Sequence, residues 1–314
     1  MRRGAGWYRG DCHVHSTRSV GGELTPGELV RAARGAGLDF IATTEHNCAA
    51  ADGDWARAAG DGLLVVLGEE VVTRAGHWLA LGIRPGQVVD PDAPVEQGVA
   101  EVRAAGGVCV AAHPYAPYPS GRFTYPVEDF DVVEVWNGLW ASDLPWNADN
   151  GAALAEWGRG LAAGVRAGAW QPAIGNSDAH LAGQIGVPQT VVFAEELTGA
   201  AVLAGIRAGR SWVAGSAEVD VTFTASCGGR VAGVGERLSA RGAPVEARVE
   251  VHGVPGAVVT FHTNRGEVHG VTLAASGEGV ARWVTTPGES TFIRAEVRAP
   301  DGPPAALTNP ILLT

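Results

Sequence analysis

Up to about residue 215, short apolar runs alternate with Ala-rich stretches whose apolar positions recur every three to four residues, the pattern of strands joined by crossover helices. The runs predict strands over 8–15, 40–44, 63–70, 78–82, 108–112, 132–136, 173–176 and 190–193. The stretches between them predict helices over 29–36, 95–105, 152–167 and 197–208. The first helix carries its own start and stop: Thr25-Pro26-Gly27-Glu28 has the spacing of a capping box, and Gly37 suits the left-handed residue that closes a helix. From about residue 216 the helical period vanishes. Short alternating strands over 219–224, 245–251, 258–262 and 291–298 are separated by Gly/Pro turns. The reading is an α/β domain over 1–215, either a βα barrel or a doubly wound sheet, followed by a small all-β sandwich of immunoglobulin-like size over 216–314, with the junction near Gly215.

Composition narrows the function classes. Hydrophobic residues make up 46% and charged residues 18% of the 314-residue chain, which is globular rather than disordered usage. The net charge is −11, and lysine is absent, so all 23 fixed positive side chains are arginine. A nucleic-acid partner is disfavoured, because a phosphate backbone needs a basic footprint. No apolar run approaches the roughly 20 residues that span a bilayer. The N-terminus reaches the polar Asp11–His15 stretch too soon to hold a signal-peptide apolar region, so a cytoplasmic location is expected. Cys12, Cys48, Cys109 and Cys227 form no C-x-x-C pair and read as free thiols. A small-molecule substrate is the expected partner, and none of these features specifies an oligomeric state.

Six of the nine histidines fall in the first domain, at predicted strand ends or in loops leading into strands. The pieces are Asp11-Cys12-His13-Val14-His15, Thr44-Glu45-His46-Asn47, Gly68-Glu69-Glu70-Val71, Gly76-His77, Ala112-His113-Pro114 and Asn176-Ser177-Asp178-Ala179-His180. In a parallel α/β architecture the C-terminal strand ends share one face, so distant positions converge there. His-x-His on an extended segment points two imidazoles to one side. Imidazoles with carboxylates form a nitrogen/oxygen donor set suited to Zn, Mn or Fe. A Gly-x-Ser-x-Gly elbow, a Gly-Lys-Ser/Thr phosphate loop and a His-Glu-x-x-His helix are all missing. His252, His262 and His269 lack a matching acidic set and read as surface or packing residues.

Taken in order, these six pieces resemble the polymerase and histidinol phosphatase (PHP) superfamily over residues 7–215, and within it the carbaryl-hydrolase-like branch. The resemblance implies a distorted (βα)7 barrel with two or three divalent ions at its mouth. It places His13, His15, Glu70 and Asp178 around a first metal, bridging Glu70 with His77 and His113 around a second, and His46 and His180 at a third. Relatives often carry an acidic residue after His-x-His, where this chain has Ser19-Val20-Gly21. Valine cannot ligate, so the third position is in question, and His46 and His180 become candidate proton donors. Of the two neighbouring acids, the Gly-x-Glu-Val register favours Glu70 over Glu69.

The implied reaction is hydrolysis by a metal-bridging hydroxide between ions about 3.5–4 Å apart, with His46, His180 and Asp178 handling protons. Phosphate esters are the first expectation; carboxyl or carbamate esters or amides are the alternative, and a non-catalytic metal-containing binding module is a third. Candidate substrate contacts are Arg18 and Arg122 for phosphate, Asn47 and Asn137 for amide hydrogen bonds, and Trp136, with neighbouring Trp140 and Trp146, for an aryl or nucleoside group.

Overall fold

The computed structural model describes residues 4–48, 53–60, 62–300 and 302–314. In chain order the first part consists of β1 (Gly6–Asp11), α1 (Pro26–Gly35), β2 (Phe40–Ala42), α2 (Gly53–Ala59), β3 (Leu64–Val66), β4 (Gly68–Thr73) and β5 (Gly76–Leu81). It continues with α3 (Val95–Ala104), β6 (Val108–Ala111), β7 (Val132–Asn137), α4 (Asn150–Gly164), β8 (Ala173–Asn176), β9 (Gln189–Ala194), α5 (Gly199–Arg207) and β10 (Ser211–Ala214). The expected capping box is present: the Thr25 hydroxyl accepts from the Glu28 N–H, and the Glu28 carboxylate accepts from the Thr25 N–H. Beyond this helix Gly37 takes φ +73°, as a closing glycine should.

Strand direction departs from a uniform βα repeat. One sheet runs β3-β2-β1-β9-β10, in which β1, β2 and β3 are parallel while β9 is antiparallel to both β1 and β10. The other runs β4-β5-β6-β7-β8, with β5 antiparallel to both neighbours and β6, β7 and β8 parallel. Among the described residues there are five α-helices. The fold is therefore mixed α/β, and with so few helices it does not by itself establish the distorted (βα)7 barrel that the resemblance implies. The cause of the antiparallel pairing at β5 is local. Gly76, at φ +127°, closes a tight β4–β5 turn against Phe123, where a Cβ would meet the Phe123 Cα at 2.8 Å, and a strand entering from such a turn must pair antiparallel.

The C-terminal part is sheet-rich. Arg230–Gly233, Asp220–Cys227, Val245–His252 and Glu278–Thr285 form a four-stranded sheet. It faces strands that include Val258–Thr263, Phe292–Arg298 and Pro304–Thr308 across an apolar core of Phe223, Val249, Val259, Phe261, Ile293 and Val297. The junction at Gly215 is bridged rather than loose. β10 pairs with β9 on one edge and with Pro304–Thr308 on the other, so a single sheet passes from the first part into the second. A shared core joins Val133, Trp136, Leu154, Trp157 and Leu161 to Phe292, Leu307 and Leu312. The four cysteines are free thiols, with Cys12, Cys109 and Cys227 buried. No helix among the described residues is long and apolar enough to cross a membrane.

Because the two parts share a sheet and a core, the full chain is expected to unfold in one calorimetric transition. Phe292→Ala, which empties part of that shared core, should destabilise the whole molecule by about 3–5 kcal/mol. Two separate transitions, only one of them moved by Phe292→Ala, would contradict the shared-core account.

Candidate metal centre

The centre lies where β1, β2, β6, β7 and β8 end. His13 and His15 follow β1, His46 follows β2, His113 follows β6, and Asp178 and His180 follow β8. Glu70 sits within β4. His77, near the start of β5, reaches the same end because β5 runs antiparallel to β4, with Val72 opposite His77. Backbone ties fix the loops. The His15 N–H donates to the Ala179 carbonyl at 2.9 Å, and the Asn47 N–H to the Glu70 carbonyl at 3.0 Å. Two of the converging residues, His113 (φ +25°) and Asp178 (φ +51°), are held in backbone conformations that L-residues rarely adopt.

All eight expected ligands gather there. Three groups have donor atoms lying within 4.8 Å of one another: His13, Glu70 and His113; His13, His15 and Asp178; and His15, His46 and His180. His77 stands beside them, with Nδ1 2.9 Å from Glu70 Oε1, and His113 Nε2 lies 3.1 Å from the same oxygen. His46 Nε2 is 3.0 Å from Glu70 Oε2. Glu69 faces away: its Oε2 accepts from the Val89 N–H at 3.0 Å, so alternation along β4 selects Glu70 for the cluster.

Hydrogen bonding orients the rings. His13 Nδ1 lies 3.1 Å from the Glu134 carboxylate, which can only accept, so Nδ1–H donates to it and Nε2 is the nitrogen turned inward, where an ion would take the place of its proton. Ser19 gives its single hydroxyl proton to Glu45 at 2.6 Å, so His15 Nδ1–H must donate to Ser19 Oγ, which again leaves Nε2 free. His180 Nδ1 donates to the Asp178 carbonyl at 2.9 Å with the same result. His13 Nε2 lies 3.4 Å from Glu70 Oε2 and 3.3 Å from Asp178 Oδ1, and His15 Nε2 lies 3.0 Å from Asp178 Oδ1. Although these atoms are close, His13 Nε2, His15 Nε2 and Asp178 Oδ1 are buried without a hydrogen bond, as are His77 Nε2 and His113 Nδ1. Such spacings, about 3–3.5 Å, are those of atoms sharing one ion at roughly 2.1 Å. The unpaired atoms of His13, His15 and Asp178 lie close together and fit a divalent cation, while His77 and His113 turn their other nitrogens to Glu70 Oε1.

Charge agrees with geometry. Burial would raise Glu70 and Asp178, but the positive charge of His13 and hydrogen bonds from the surrounding imidazoles hold both well below the carboxylate range. His13 is pushed down by burial and held well above its ordinary value by Asp178, Glu134 and Glu70. Burial lowers His15 to about 4, so it stays neutral. The centre is thus anionic and calls for positive charge in its middle.

Some supporting residues escape the motif reading. Glu134 accepts from His13, from the His113 N–H at 2.9 Å, and from the amides of Asn176 at 2.8 Å and Asn137 at 3.0 Å. Asp11 accepts from the N–H groups of Ser177 and Gly186, joining the β1 and β8 exits. Tyr118 lines the cavity above the cluster, and burial and the acids Asp178, Glu70 and Glu134 push its hydroxyl well up, keeping it a proton donor.

The expected substrate contacts divide. Asn137 lines the cavity and donates to Asp178 Oδ2 at 3.3 Å. Arg18, Arg122, Asn47 and Trp136 do not line it. Asn47 bonds both backbone groups of Val72, and Arg122 is exposed in a bridge with Tyr115. Trp136 is buried in the shared core with its Nε1–H on the Gly138 carbonyl, because a β7 irregularity between Glu134 and Trp136 reverses the side-chain alternation. Val20 is 88% exposed, and the His15, His46 and His180 group assembles without any contribution from that position.

Comparison with known proteins follows the same lines. A family model described as PHP-associated matches residues 171–211, which contain β8, Asp178, His180, β9 and α5. An uncharacterised protein of Methanocaldococcus jannaschii, MJ1587, is 25% identical over 142 residues, covering 41% of this chain and 81% of that protein. In fold, the chain is similar to a two-domain protein containing a predicted PHP-like metal-dependent phosphoesterase from Bacteroides vulgatus. The TM-score is 0.56 at 16% identity, over 98% of this chain and 96% of that one. An amidohydrolase from Chromobacterium violaceum matches at a TM-score of 0.42 and 20% identity, over 56% and 89% of the two chains.

Glu134→Gln keeps the size of the side chain but removes the charge that orients His13. It should weaken divalent-metal affinity about 10–100-fold while leaving circular dichroism unchanged. Unaltered affinity in a metal-competition titration would remove Glu134 from the centre.

Proposed function

We propose that the chain is a metal-dependent hydrolase of phosphate esters, with residues 1–215 carrying the chemistry and residues 216–314 buttressing them. The observation behind this reading is the set of buried, hydrogen-bond-free Nε2 and carboxylate atoms of His13, His15 and Asp178, set beside Glu70 beneath a cavity that Glu70 and Asp178 line. Divalent ions held there would supply Lewis acidity toward an ester oxygen and toward water. On this reading the strands that deliver these residues to one end form a distorted barrel, and the carbaryl-hydrolase-like branch rests on the sequence motifs alone.

The protein's own groups divide the remaining work. His13, His15, Glu70 and Asp178 would hold a first ion, and Glu70, His77 and His113 a second. His46 and His180 are half-buried at the cavity wall, where each can carry a proton to a leaving group or, with His15, hold a third ion. Asp178 turns Oδ1 to the histidines, and Oδ2 accepts from the Asn137 amide, which leaves a second lone pair on Oδ2 for a proton. The Tyr118 hydroxyl, held protonated, can donate to an ester oxygen. Hydrolysis at a carbonyl is the second reading, favoured by one observation: among the described residues no arginine lines the cavity, and a carbonyl substrate needs none.

Phosphate monoesters, phosphate diesters, carboxylic esters and carbamates of 4-nitrophenol, offered with Mn²⁺ or Zn²⁺, test the proposal. Phosphate substrates should turn over, chelation should abolish turnover, and Asp178→Asn should lower kcat at least 100-fold together with metal content. Turnover of carbonyl substrates alone would select the second reading. Metal-replete protein inert across the panel would leave a binding module.

A further inference from the structure

The cavity over the cluster measures about 600 Å³, within the range of pockets that enclose small molecules. Its walls are of two kinds. One carries His46, Glu70, His77, His113, Asp178 and His180. The other carries Leu139, Leu144, Trp146, Leu181 and Val187. These five are 37–55% exposed, so each leaves apolar surface in water. Twelve large apolar side chains are exposed among the described residues, and five of them converge on this single cavity. Exposed apolar surface gathered in a cleft beside a reactive centre marks a place for a ligand rather than ordinary surface scatter.

The wall is built in advance of any ligand. The Asn150 amide donates to the carbonyls of Asn137 at 3.1 Å and Leu139 at 3.0 Å, pinning the start of the loop after β7. Gln184 Oε1 accepts from the N–H groups of His180 and Leu181, both at 2.8 Å, pinning the loop after β8. Charge sets a second limit. The chain contains no lysine, and among the described residues no arginine lines the cavity. A second phosphate or carboxylate on the substrate would find no fixed cation away from the cluster, and Glu70 and Asp178 already make the floor acidic.

Resting on the hydrolase reading, we infer that the substrate is an ester with a single anionic or polar reacting group, whose other substituent is apolar and lies against Leu139, Leu144, Trp146, Leu181 and Val187. Polyanionic esters are excluded from this class. Burying five or six carbons against such a wall is worth at least a tenfold preference over a methyl group.

Two readouts on the metal-loaded protein test this. In the first, 4-nitrophenyl phosphate diesters share the scissile bond and the charge and differ in the second group: methyl, phenyl or thymidine-5′-yl. The phenyl diester should exceed the methyl diester at least tenfold in kcat/KM and also exceed the nucleoside diester, and Trp146→Ala or Leu144→Ala should cut the phenyl-to-methyl ratio at least fivefold. In the second, calorimetric binding of phenylphosphonate should be at least tenfold tighter than that of methylphosphonate, with a negative heat-capacity change. Phenyl-to-methyl ratios near one in both readouts, or a preference for a nucleoside 3′,5′-bisphosphate, would overturn the inference and leave hydrolysis standing. Tighter phenylphosphonate binding without turnover of any diester would support the apolar wall and overturn phosphoester hydrolysis.

Discussion

Everything at the centre depends on balancing negative charge that is out of reach of water. Glu70 and Glu134 are buried, Asp178 is largely so, and all three lie around the His13 ring. Isolated carboxylates in such surroundings would take up protons or unfold the site. Here they stay ionised because imidazoles face them from the loops after β1, β2, β6 and β8 and from β5, and because the His113 N–H and the Asn137 and Asn176 amides donate to Glu134. Those loops are in turn held by bonds such as Ser177 N–H to Asp11, and they can be so held only because strands from both sheets end together. The charge requirement therefore reaches back through the loops to the strand order.

The donor set was legible in the sequence because its histidines sit where the chain leaves or enters a strand. A histidine after an apolar run has few other reasons to recur six times; period-two alternation lets only one of Glu69 and Glu70 face the cluster, and the Gly-x-Glu-Val register favours Glu70. Glu134 was less visible because it lies inside Val132–Asn137, a strand buried throughout. Its signal was present all the same: a single acid among Val132, Val133, Val135 and Trp136 must have a buried partner. Trp136 misled for a related reason. Regular alternation would set it on the side of Glu134, but the β7 irregularity after Glu134 turns it into the shared core and gives that face to Asn137. A one-residue shift in register leaves no trace in an apolar pattern.

Most element positions in the first part were likewise legible, although 63–70 divides into β3 and β4 and neither α2 nor β10 was foreseen, whereas strand directions were not. β5 and β9 carry the same kind of apolar run as their parallel neighbours, and only tertiary pairing reveals that they run the other way. The change in texture near Gly215 is real, yet it does not mark a gap. Trp212 and Val213 pair across to Thr308 and Leu307, so the β-rich part completes the sheet edge that β10 would otherwise leave open. Phe292 and Leu312 then cap the side of α4 and β7 that faces away from the cavity. Strand β7 is thereby fixed from behind while Glu134 and Asn137 hold the site in front. On the proposed reading, that geometry lets the C-terminal part support the site from behind.

The same economy explains the cavity. A chain without lysine has only arginine for fixed positive charge, and several of its arginines serve structure away from the centre. Arg103 pairs with Asp131, Arg9 reaches the Val219 carbonyl and Asp220, and Arg294 is locked to Glu296 beneath Trp157. Positive charge at the cavity is therefore left to the ions that the buried donors can hold, concentrated at the floor. Selectivity above the floor has to come from shape and apolar surface, which is what the loops after β7 and β8 provide. An acidic floor that needs cations and an apolar wall that needs none are thus two consequences of one distribution of charge.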